Sequence, residues 1–264
     1  MEDFSNQLYN MDCLELLRRL PDGCVSMILT DPPYGIQYQN NFAVHPYPPL
    51  AGDDGIDYER FAKESYRVLQ NNAHAYFFTR FDCYPYHYIC LKDAGFSIKN
   101  CLVIEKGNIG GIGDLRGSYA NNAEWIIFCQ KGRREFQSTT LMENKKPEGT
   151  ILQAGRKPTL KYKTRFNACW FGEEYPKATH NAVWHKKHGI FHPTIKNEVF
   201  LSWLIQISSL SGELIFDGFM GSGSTAAAAI ITGRRYLGTE ISPAYFEIAQ
   251  KRIAEVKEEL TWKC

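Results

Sequence analysis

The sequence has no CxxC pair: its eight cysteines stand singly at positions 13, 24, 83, 90, 101, 129, 169 and 264. Zinc knuckles and disulfide frameworks need tighter spacing, so these cysteines read as reduced thiols acting as small buried hydrophobes, and no metal site is expected. No apolar run approaches the roughly 18 residues of a membrane span. The opening MEDFSNQLYN lacks a secretory apolar core, so a soluble, cytoplasmic protein is expected. Internal repeats and low-complexity tracts are absent. A charged fraction of 22% with ordinary glycine and proline usage excludes a disordered or collagen-like chain. What is present is 264 residues, 44% hydrophobic and 14% aromatic, enough for one large α/β domain or two small ones with a full core.

The net charge is only +1, but it is segregated. Residues 131–196 hold 14 Lys+Arg against 5 Asp+Glu, hence +9, and the remainder holds 16 against 24, hence −8. A basic block of this kind is either a solvated face or the footprint of a polyanionic partner.

Along the first 130 residues, helical and strand patterns alternate. CLELLRRL after Asp12 places Leu14, Leu17 and Leu20 on one face and ends at Pro21 and Gly23. VSMILT (25–30), HAYFFT (74–79), CLVIEK (101–106) and EWIIFCQ (124–130) read as strands, and FAKESYRVL (61–69) as a helix. From 131 to 190 no period is sustained, and the segment reads as an insertion beside the sheet. Regularity returns with a helix over 197–210, the strand GELIF, the turn DGFMGSGS, the helix TAAAAIIT and the strand RRYLGTE. A last helix opens at Ser242 and Pro243, with a buried stripe of Phe246, Ala249, Ile253, Val256 and Leu260. This alternation predicts an α/β fold: a doubly wound, mostly parallel Rossmann-like sheet with helices on both faces. The expected core domain is 1–130 with 191–264.

In such sheets, ligands sit beyond the carboxyl ends of the strands. Two turns fall there. In Asp217–Thr225, Gly221 and Gly223 allow close backbone approach to a ligand, and Thr225 opens a helix. No GK[ST] follows, which disfavours a triphosphate. Glu240 ends the next strand, where an acid can accept both hydroxyls of a ribose. Alternatively, the turn is structural and Glu240 solvated. The other turn is Asp31-Pro32-Pro33-Tyr34-Gly35. Its two prolines remove N–H donors, Asp31 adds a carboxylate and Tyr34 a flat ring, a corner suited to a planar group bearing an NH₂. Asp12 with Glu15 also fits a capping box for the first helix.

DPPYG after one strand, DGFMGSGST after another and HPTIK (192–196) before the intervening helix together resemble the amino-methylating DNA methyltransferases. The order of motifs is similar to the circularly permuted beta group. The resemblance implies that S-adenosylmethionine is the cofactor. Asp217, Phe219, Gly221, Gly223, Ser224 and Thr225 would line its methionine side, Glu240 and Ile241 its ribose, and Asp12 and Cys13 its adenine. His192, Thr194 and Lys196 would close the pocket near the methionine moiety, with Asp31 at its edge. It further implies that Asp31, Pro32, Pro33 and Tyr34 grip a target base, adenine being the usual companion of DPPY and cytosine of SPPY. Gly218 stands where the family usually has proline, and Asn197 replaces the second proline of HPxxKP.

On that reading, Asp31 and the Pro32 carbonyl draw the adenine N6 amine toward a pyramidal nitrogen, which attacks the sulfonium methyl in line. No cysteine adduct is involved. The base must flip out of double-stranded DNA and stack on Tyr34, under a closing loop 36–57 that carries Tyr38, Phe42 and Tyr47. The basic insertion 131–190, with Arg156, Lys157, Lys161, Lys163 and Arg165, would contact phosphates and recognise the target. The resemblance also implies a homodimer, a role in restriction-modification and action in a bacterial cytoplasm. Open alternatives are an N4-cytosine or RNA methyltransferase, a nicotinamide-dependent oxidoreductase and an inactive DNA-binding module.

Overall fold

The computed structural model describes residues 3–34, 56–105, 123–137, 169–170 and 196–261. Among them, eight strands form one sheet: β1 (Gln7–Tyr9), β2 (Val25–Thr30), β3 (Leu69–Thr79), β4 (Ser97–Glu105), β5 (Ala123–Lys131), β6 (Cys169–Trp170), β7 (Leu214–Asp217) and β8 (Arg235–Thr239). Their spatial order is β1-β8-β7-β2-β3-β5-β4-β6. Every pairing from β1 to β3 is parallel, whereas β5 runs antiparallel to both β3 and β4. The helices are α1 (Cys13–Arg19), α2 (Tyr58–Val68), α3 (Tyr84–Asp93), α4 (Glu198–Ser208), α5 (Ser224–Ile231) and α6 (Pro243–Thr261). The expected doubly wound α/β sheet is therefore present.

The central strands read as continuous apolar runs because both faces are covered. All six residues of β2 are buried. One core layer packs Leu16 and Leu17 of α1, Phe61 and Ala62 of α2 and Leu91 of α3 against the sheet. The other packs Phe200, Leu201 and Leu204 of α4, Ala226 and Ala229 of α5 and Ile253 of α6. After β2 the chain crosses through α2 to β3, and after β7 through α5 to β8, with α2 and α5 on opposite faces. Strand order thus reverses between β2 and β7, which are direct neighbours through Met27–Ile215 and Ile28–Phe216. That reversal opens a crevice at the carboxyl ends of the two strands.

Three elements carry no clear sequence signal. β1 is only three residues long. α3 begins after Cys83, which makes no side-chain cap, and its sequence YPYHYICLKD does not sort apolar residues onto one face. β6 lies inside the basic segment and pairs with β4 through Val103–Cys169 and Ile104–Trp170. No helix among the described residues is long and apolar enough to cross a membrane.

Candidate active site

β7 delivers Asp217 into the crevice, 3% exposed. Its Oδ1 accepts from Thr30 Oγ1 at 2.7 Å and from Phe219 N at 3.0 Å, and Thr225 donates as well. Burial pushes this carboxyl up to about 6 against the pull of those donors. The turn that follows needs its glycines: Gly221 has φ 53° and Gly223 φ 82°. A Cβ on Gly223 would lie 3.2 Å from Ala249 of α6, so the turn is pressed against that helix. Phe219 is half-buried and meets Phe61 edge-on at 5.3 Å.

Glu240 follows β8 and closes this half of the crevice. Its Oε2 accepts from Gly221 N at 2.8 Å and its Oε1 from Ser242 N at 2.9 Å. Burial raises its pKa while these amides lower it. A carboxylate has about four lone-pair positions, so two amides leave capacity for ribose hydroxyls. Ile241 beside it is 45% exposed. Asp12 caps α1, Oδ1 accepting from Leu14 N at 2.9 Å and Glu15 N at 3.2 Å. Among the described residues Glu15 makes no return bond to the Asp12 amide, so only half of the capping box forms. Cys13 is buried against Gly218, where an added Cβ would fall 2.3 Å from its Sγ. Cys13 thus occupies the space a proline ring at 218 would need.

β2 delivers the other half. Asp31 Oδ1 accepts a hydrogen bond from the Tyr34 hydroxyl, and Oδ2 lies 2.8 Å from Lys196 Nζ. The same ammonium lies 3.2 Å from Glu124 Oε1 and 4.7 Å above the Phe78 ring. Burial disfavours its charge, but the two carboxylates outweigh burial and hold Lys196 protonated well above the ordinary range. Burial, then the Asp31 charge, push the Tyr34 phenol well above its usual pKa and keep it a donor. Its ring lies 6.3 Å from the His87 ring.

The two distant turns meet in one cavity, lined by Thr30 and Asp31 on one side, Asp217, Phe219 and Gly221 on the other, and Lys196 between them. Lys196 was expected beside the methionine moiety; it lines this cavity with its ammonium on Asp31. Asn197 next to it caps α4, accepting from Val199 N at 3.0 Å and Phe200 N at 3.2 Å. Here the cap takes over the stop that a proline would have made at this place. Glu198 then pairs with Arg252, 2.5 Å apart and buried, and Arg252 donates to Ser224 Oγ at 2.9 Å. Thr30, Glu124, Glu198 and Arg252 were not singled out from sequence. Only Thr30, adjoining the DPPY turn, carried a usable signal. His192, Thr194, Tyr38, the loop 36–55 and the basic cluster Arg156, Lys157, Lys161, Lys163 and Arg165 lie outside the described residues.

A mostly parallel sheet with a glycine turn, a strand-end acid and a second carboxylate at the ends of neighbouring strands is a Rossmann-like architecture. The model of the N6/N4 DNA methylases matches residues 25–251, and the chain belongs to that family. The family methylates exocyclic amino groups of DNA and uses S-adenosylmethionine. The chain is 27% identical over 274 residues to the type II methyltransferase M.HinfI of Haemophilus influenzae, covering 97% of this chain and 70% of that one. Its fold is similar to that of the M1.HpyAVI–SAM complex, with a TM-score of 0.60, 19% identity and coverage of 94% and 98%. It is also similar to the PvuII cytosine-N4-specific DNA methyltransferase, with a TM-score of 0.65, 17% identity and coverage of 96% and 90%.

Proposed function

We propose that this protein methylates the N6 amine of an adenine flipped out of double-stranded DNA. The observation that carries this reading is the shared cavity: Asp31 and the glycine turn end neighbouring strands and face one another across it. The turn at Gly221 and Gly223, with Glu240 hydrogen-bonded to the Gly221 amide, fits a nucleoside bearing an amino-acid tail. When bound, S-adenosylmethionine supplies an electrophilic methyl group on sulfonium.

The chain's residues do the rest. Asp31 Oδ1 and the Pro32 carbonyl accept from the target NH₂ and concentrate its lone pair on nitrogen. Both acceptors would stabilise the positive charge that grows on that nitrogen during transfer, and an N–H proton leaves once the new C–N bond has formed. Tyr34, displaced from Asp31 by the incoming amine, turns its ring to stack on the base. Asp217 is held by Thr30 and the Phe219 amide, which keeps the cofactor turn fixed relative to β2. Residues 131–190, which with Lys196 carry a net charge of +9, serve as a target-recognition insertion whose lysines and arginines contact phosphates. Aspartate rather than serine before Pro-Pro-Tyr supports adenine over cytosine. Two chains would form the working dimer, which sedimentation velocity checks.

The test is mass spectrometry of nucleosides from duplex DNA treated with the protein and S-adenosylmethionine. N6-methyladenine is expected; N4-methylcytosine would correct the base, and no methylated base would remove the activity. Asp31→Ala should lower turnover by about 10²-fold or more while calorimetry shows cofactor binding retained.

A further inference from the structure

The Asp31 carboxylate has two oxygens with different tasks. Oδ1 meets the Tyr34 hydroxyl and Oδ2 meets Lys196. Lys196 is itself fixed from both sides. The Asn197 cap and the buried Glu198–Arg252 pair hold the backbone at the start of α4. Glu124, from the antiparallel strand β5, takes the ammonium at 3.2 Å, and the Phe78 ring lies beneath it. With side-chain exposures of 12% and 15%, Lys196 and Glu124 are well shielded from water, so screening is weak.

A lone cation on Asp31 would cancel the negative charge that a developing ammonium needs. With Glu124 present, the group Asp31, Lys196 and Glu124 keeps a net charge of −1. We propose that Lys196 and Glu124 are positioning residues for methyl transfer: Lys196 pins Oδ2 so that Oδ1 faces the target amine, and Glu124 neutralises Lys196 so that Asp31 stays effective. This rests on the reading of Asp31 as the amine acceptor. Sequence pattern alone did not point to Glu124, which reaches the site only because β5 folds back antiparallel beside β3.

The test compares single-turnover methylation of duplex DNA by the wild-type chain, Glu124→Gln, Lys196→Gln and the double variant. Cofactor binding is followed by calorimetry, DNA binding by fluorescence anisotropy and folding by thermal melting. Glu124→Gln keeps the shape and a hydrogen bond to Lys196 while removing charge. Its methyl-transfer rate should fall roughly 10- to 100-fold, with both dissociation constants within about twofold of wild type. The double variant should fall less than the product of the two single effects, because both act through Asp31. Wild-type rates in both single variants overturn the proposal, as does a loss of rate matched by lost cofactor binding or melting, which marks a structural role. Independent, multiplicative effects also overturn it. A wild-type chain that methylates no DNA overturns the reading of Asp31 itself, and the positioning role with it.

Discussion

Gly218 and Cys13 occupy one space. The missing side chain at 218 admits the Cys13 sulfur, whose thiol burial pushes well above its usual pKa and leaves inert. Gly218→Ala should therefore cost about 1–3 kcal/mol in urea unfolding, by forcing the turn or α1 to move. Adding Cys13→Ala should recover part of that loss, a coupling a double-mutant cycle reads directly. The departure from the family's proline was visible in sequence, but its cause was not, because the two positions lie 205 residues apart in the chain. The positions of Asp31, Tyr34, Asp217 and Glu240 at or just after strand ends were legible because each stands in a short motif. Lys196 was legible as a residue but not in its contact, since its motif says nothing of the partner across the crevice.

Among the elements, α4 joins the two halves of the site. Its first residues send Glu198 into a buried pair with Arg252 of α6, which is 1% exposed and also bonds Ser224, where the glycine turn enters α5. Arg252→Met would strand the Glu198 charge and should destabilise the fold by about 3–5 kcal/mol in denaturant titration. Glu198→Gln added to it should restore much of the loss, since the stranded charge is then gone. Periodicity found the stripe of α6 at Ala249 and Ile253, both buried, but the pattern had no place for an arginine between them. β2 was read from Val25 to Thr30, as observed, because a run buried on both faces is apolar throughout. α3 and β1 escaped because one lacks a cap and a face and the other lacks length.

Across the whole molecule, stability should depend on pH through groups far apart in the fold. His74, wholly buried between Ser208 Oγ at 2.9 Å and the Arg134 carbonyl at 3.1 Å, is pushed down to about 4 by burial, and His87 likewise. Each therefore takes its proton more readily unfolded, so its contribution is complete above pH ~6.5 and falls away toward pH ~4, by about 3 kcal/mol at most. Asp217, raised to about 6, works the other way and stabilises as pH falls from ~6 to ~4. Glu240, also raised by burial, acts in the same sense as Asp217 but is shifted less, so the two histidines outweigh the carboxyls: the urea unfolding free energy should drop between pH 6.5 and 4.5, and His74→Gln should flatten that slope. Residue order alone settled the α/β alternation, the places of the two turns at strand ends and the charge segregation, because burial on both faces and turn chemistry are written locally. Folding decided that β2 and β7 lie side by side, that β5 carries Glu124 to Lys196 and that Arg252 reaches Ser224 at the end of the glycine turn. Those contacts depend on strand order and helix packing, which no local stretch of chain encodes.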